Sequence, residues 1–169
     1  MAIGPFCAKF GLVFPLVLSS SLALATPPTE AIQHFLQDAH GVVAELQLDN
    51  PNAESIVTVI TEMLEDAKLV VAAFGEKHTQ CAAQLARIIE LYPEIDVWPA
   101  QQIRRDIEGG RALPAAEGCY PARDVVAHPA IVRAFARIGI SSSQRVRLVN
   151  EMNEAIEHME EILADLAQE

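Results

Sequence analysis

The chain has 169 residues, 51% of them apolar but only 5% aromatic, and carries a formal net charge of −11. That is one domain's worth of chain, with a core to be built from Ala, Leu, Ile and Val rather than rings. The acidity excludes a free-standing nucleic-acid binder, which shows a basic footprint, and a polybasic membrane-surface protein. The apolar content excludes disorder, and three cysteines are too few for a disulfide-framework miniprotein.

Residues 1–25 hold no acid and a single base, Lys9, then the apolar run Phe10–Leu18 and the small-x-small ending Ala23-Leu24-Ala25. This order reads as a secretory signal peptide cleaved after Ala25. Pro15 and the shortness of the run argue against an anchor, which needs ~20 apolar residues. Residues 26–169 are then a single helical domain with no stable membrane anchor. It would be released into an oxidising compartment, periplasmic or extracellular.

The remaining chain reads as helices. Thr29 is a candidate cap, and Ile32, Phe35, Leu36, Ala39, Val42, Val43 and Leu46 recur at helical spacing. Asn50-Pro51 restarts the chain, with Asn50 as cap. A second face, Ile56 to Phe74, runs into Gly75, read as a C-cap. A third helix is expected from about Glu76 to Tyr92, stopped by Pro93. Residues 93–130 are rich in Pro and Gly and read as turns and short helices, with separate pieces at 99–108, 121–127 and 129–138. Ser141–Ser143 offers caps for a last helix whose apolar seam, Val146 to Leu166, is close to a heptad pattern. No segment alternates with period two. The expected fold is all-α: a four-helix-bundle-like domain with an elaborated Pro/Gly- and Arg-rich connection before the last helix, the first three helices being successive antiparallel neighbours.

Charge is segregated. Residues 26–103 hold 12 acids and 3 bases; 104–147 hold 4 acids and 8 arginines; 148–169 hold 7 acids and no base. The arginine block has two readings. It neutralises the acidic helices internally, or it forms an anion- or partner-binding face, since the guanidinium fork matches carboxylate and phosphate. The last helix opposes its own macrodipole, with Arg145 and Arg147 near its start and Glu160, Glu161 and Asp165 near its end. Such placement costs about 0.3–1 kcal/mol per charge, which a neighbouring basic segment or a basic partner would offset.

Chemistry is sparse. The stripe Glu151, Glu154, His158, Glu161 and Asp165 has the spacing to ligate a metal inside a bundle. It flanks the apolar seam, however, and is expected to be a solvated rim, so neither a metal nor another cofactor is expected. Cys-x-x-Cys-His is absent, which excludes c-type haem attachment, and Met63, Met152 and Met159 read as core. No Gly-x-Ser-x-Gly or phosphate loop occurs. The densest local signature is Gly118–Pro129. Its Tyr120, Arg123, Asp124 and His128, with Arg133 and Arg137, form the candidate interaction surface; the competing reading is a docked connector. Cys81 and Cys119, left alone once the signal is removed, are expected to pair.

These features point to an exported, non-enzymatic helical interaction protein, of adaptor, inhibitor, immunity or chaperone type, with a protein partner and no nucleic acid. The alternative is a bundle that binds a small ligand, a metal or haem.

Overall fold

The computed structural model describes residues 28–113 and 116–168. The segment read as a signal peptide, 1–25, lies outside the described residues. Six helices and no strand occur among them: α1 (Pro28–Leu46), α2 (Ala53–Lys77), α3 (Ala82–Ile95), α4 (Ala100–Ile103, continued by a π turn over Arg104–Glu108), α5 (Tyr120–Ile138) and α6 (Ser142–Leu166). None is long and apolar enough to cross a membrane.

Several helix limits differ from expectation, each for a local reason. The cap of α2 is Asn52, not Asn50: its side chain accepts the Ser55 N–H at 3.1 Å, while its own N–H is taken by Glu45. Gly75 lies inside α2 rather than ending it. It is buried against Leu85 of α3, and the helix continues until the His78 N–H has bonded the Phe74 carbonyl. α3 begins at Ala82, six residues later than expected, and carries Pro93 within its last turn. Gly109 closes the π turn, where a Cβ would sit 2.8 Å from the Arg105 carbonyl oxygen.

The largest correction concerns α5. Two short pieces broken at Pro129 were expected; instead one helix runs unbroken through that proline. An interior proline costs about 3 kcal/mol, but α5 is buried from Pro121 to Ala136 at every position except Arg123 and Phe135. Val125, Val126, Ile131 and Val132 each contribute about 1.5–3 kcal/mol on burial, so packing outweighs the break. Gly139, at φ +97°, ends the helix in a conformation that favours glycine. Ser141 then caps α6, its N–H donating to Gln144 at 2.9 Å in a capping box.

The all-α, bundle-like architecture is as expected, but its membership is not. The four long helices α1, α2, α5 and α6 form the bundle, with close packing at α1–α2, α2–α5, α5–α6 and α6–α1. Neighbours run antiparallel around this ring. α3, expected as the third bundle helix, packs outside against α2 and α5, and α5 takes its place. The core is aliphatic, with Phe35, Met63, Met152 and Met159 fully buried among Ile, Leu, Val and Ala.

Cys81 and Cys119 form a disulfide and are both fully buried. The bond ties the residue before α3 to the residue before α5, with Cα atoms 5.6 Å apart, and closes the connection that holds α3 and α4. For a sequence separation of 38, the chain-entropy contribution is about 4 kcal/mol. Reduction should therefore lower the unfolding free energy by roughly that amount. The unreduced, unfolded protein should show no titratable thiol from this pair, and two such thiols per chain would contradict the pairing.

Candidate functional site

The antiparallel packing of α5 on α6 brings the polar side of α5 against the acid–histidine stripe of α6. Asp124 and His128 stand one turn apart on α5, and Glu151, Glu154 and His158 follow one another along α6. His128 is 4% exposed, and Asp124 and Glu151 are each 6% exposed. The expectation of a solvated rim therefore fails at the inner positions of the stripe. A stripe that flanks an apolar seam is buried when the neighbouring helix covers it, and α5 does so here.

His128 sits between two carboxylates, with Nδ1 3.0 Å from Glu151 and Nε2 3.4 Å from Glu154. Glu151 is held from its other side by the guanidinium of Arg104, projected from the π turn. Asp124 receives the Arg123 fork, at 2.7 Å from Nε and 2.9 Å from Nη2. His158 Nε2 lies 3.9 Å from Asp124, and its Nδ1 lies 3.3 Å from Glu161. The two imidazoles are stacked, with centroids 5.8 Å apart and planes inclined by 17°. Tyr120 meets His158 edge-on at 5.5 Å and stands at the solvent side of the group.

Burial alone would push the His128 imidazole down, but the Glu151 hydrogen bond and the charges of Asp124, Glu151 and Glu154 hold it above its ordinary value. Burial would likewise push Glu151 up, but hydrogen bonds from His128 and Arg104 hold it below the usual carboxylate range. The chemical capacity of this arrangement is ion binding and charge relay. Among the described residues the cluster contains no Ser or Cys nucleophile.

The six residues expected to form one interaction surface do not share a face. Tyr120, Arg123, Asp124 and His128 belong to the cluster, where only Tyr120 is largely exposed. Arg133 and Arg137 lie further along α5 and both pair with Asp96 near the end of α3, at 2.9 and 2.8 Å. Arg133 is buried and also reaches Thr61 of α2 at 3.4 Å. The Arg137 hydrogen bond, opposed by partial burial, holds Asp96 below its ordinary value. Arg105 pairs with Asp106 and Arg145 with Asp49, while Arg147 lies over the Phe135 ring. The arginine block is thus spent largely on internal charge complementarity.

The unfavourable dipole of α6 is answered in part from α2. Lys77 donates to the carbonyls of Asp165 and Gln168, and His78 lies 2.6 Å from the Asp165 carboxylate. Sequence reasoning missed Arg104 as the partner of Glu151 and missed the link from His128 to the stripe. The available signal was the shared spacing of Asp124-x-x-x-His128 and Glu154-x-x-x-His158. Comparison with known protein families, with curated proteins and with solved structures finds no match to this chain.

The pair formed by His128 and Glu151 has a definite pH signature in chelator-treated protein. The Glu151 contribution to stability is complete above its ordinary value of 4.5 and is lost as pH falls through the depressed folded value. The His128 contribution is complete below its ordinary value of 6.5 and is lost as pH rises through the raised folded value. Urea unfolding across this range should show a plateau between those limits with a decline on either side. Glu151→Gln should cost about 3–5 kcal/mol on the plateau by stranding His128 and Arg104, and should flatten the profile. A variant with the unaltered profile would refute the pairing.

Proposed function

We propose that the protein is an exported, non-enzymatic helical interaction protein that recognises a positively charged protein partner through its acidic surface. The supporting observation is on α1 and α2, where Asp38 and Asp66 are both held above the ordinary carboxylate value. For Asp38, burial and then the charge of Glu62 raise it, with His34 opposing. For Asp66, burial leads and Asp38, Glu30 and Glu62 add to it, again with His34 opposing. Burial is the larger cause at both groups, and the neighbouring like charges add a smaller cost to the isolated fold. Glu30, Asp38, Glu62 and Asp66 have no Lys or Arg ion-pair partner among the described residues, and neither do Glu157 and Glu160 on the outer side of α6. With most of the central arginines paired within the protein, the outer faces of α1, α2 and α6 are left negative. A Lys- or Arg-rich partner surface would be complementary to it and would be steered to it at low ionic strength.

Export has separate support. The leading segment has the order of a signal peptide, the disulfide suits an oxidising compartment, and no described helix has the length and apolarity of a span.

The charge-reversed variants Glu62→Lys and Glu157→Lys test the reading. Glu62→Lys relieves repulsion with Asp38 and Asp66, and Glu157→Lys relieves repulsion with Glu154, Glu160 and Glu161 one turn away, so unfolding free energy in low salt should hold or rise by up to about 1 kcal/mol. Immobilised wild-type protein should retain a partner from an extract of its native compartment and release it as salt increases. Retention should be lost in the double variant. Undiminished retention by that variant, or a partner that high salt does not release, would overturn the proposal.

A further inference from the structure

We infer that the α5–α6 cluster is a binding site for one divalent transition metal ion of the zinc class, with His128 and Asp124 of α5 and His158 of α6 as its protein ligands. This is independent of the partner proposed above. The donor atoms of Asp124, His128 and His158 lie within 4.8 Å of one another, as do those of His128, Glu151 and Glu154. Each helix supplies a carboxylate and, one turn later, an imidazole, and the antiparallel packing turns the two pairs toward each other.

The separations suit an ion better than direct contact. Asp124 and His158 are 3.9 Å apart, too far for a hydrogen bond. Two metal bonds of about 2.0–2.2 Å would span that gap. His128 Nε2 and Glu154 are 3.4 Å apart, again at the long end for a direct bond. Meanwhile Glu151 takes the other His128 nitrogen at 3.0 Å and is itself fixed by Arg104. A carboxylate on the far nitrogen is the outer support that orients metal-binding histidines and sets their tautomer.

Asp124 and Glu151 are paired with the guanidiniums of Arg123 and Arg104, with Arg147 4.0 Å from Glu151, while the Glu154 and Glu161 side chains are 54% and 51% exposed. One ion lying between the two imidazoles, whose centroids are 5.8 Å apart, would accept a nitrogen donor from each. Nitrogen and oxygen donors without thiolate suit zinc, cobalt, nickel or copper(II), and imidazole makes the set a poor choice for calcium or magnesium. Tyr120, half exposed, packs edge-on against His158 at the solvent side of the site.

The test is zinc titration of the purified, chelator-treated full chain by calorimetry, with thermal unfolding in parallel. One zinc per chain and a raised Tm are expected, while magnesium and calcium give neither. His158→Ala, a partly exposed position, should abolish both effects with an unchanged circular dichroism spectrum. Glu151→Gln should weaken zinc by about 10–100-fold, as loss of an outer carboxylate does. The inference is overturned if micromolar zinc gives no stoichiometric binding. It is equally overturned if binding survives His158→Ala and disappears only in Glu157→Gln with Glu160→Gln, which would place the ion on the acidic surface.

Discussion

α5 is buried along almost its whole length yet carries Asp124, His128 and Arg133 on its inner positions. A charged group removed from water costs several kcal/mol unless it is paired, so every polar side chain of α5 has to find its partner within the protein. Much of the structure follows from that requirement. Asp124 is forked by Arg123, His128 lies between Glu151 and Glu154, and Arg133 meets Asp96 and Thr61. α3 and α4 exist in the places where they supply Asp96 and Arg104. The disulfide fixes the point at which α5 begins, and with it the register of these pairs against α6.

The same requirement explains where charge is left over. Arginines of the central block are drawn inward to satisfy α5, to hold the π turn and to tie α6 to the α1–α2 connection. The carboxylates of α1, α2 and the outer side of α6 receive no such partners. The protein thus combines a nearly neutralised interior with a surface that repels itself. The basic partner proposed above would give that surface a use. The acid–histidine cluster is a different matter, because Asp124, His128 and Glu151 are buried, where a bulk counter-ion screens poorly and pairing has to come from other side chains or from a bound ion.

By itself the sequence determined the helical fold class, a serine cap within Ser141–Ser143, the aliphatic core with its buried methionines, and the pairing of Cys81 with Cys119. Helical spacing, cap chemistry and cysteine count are local or compositional signals, and they need no knowledge of neighbours. Tertiary structure decided what depends on which surfaces are covered. Burial carried α5 through Pro129, where local propensity called for a break, and gave α5 rather than α3 the place in the bundle. It also turned the Glu151–His158 stripe from a rim into an interface. Periodicity shows that such residues share one side of a helix, but only the packing of a second helix decides whether that side meets water or another set of charges.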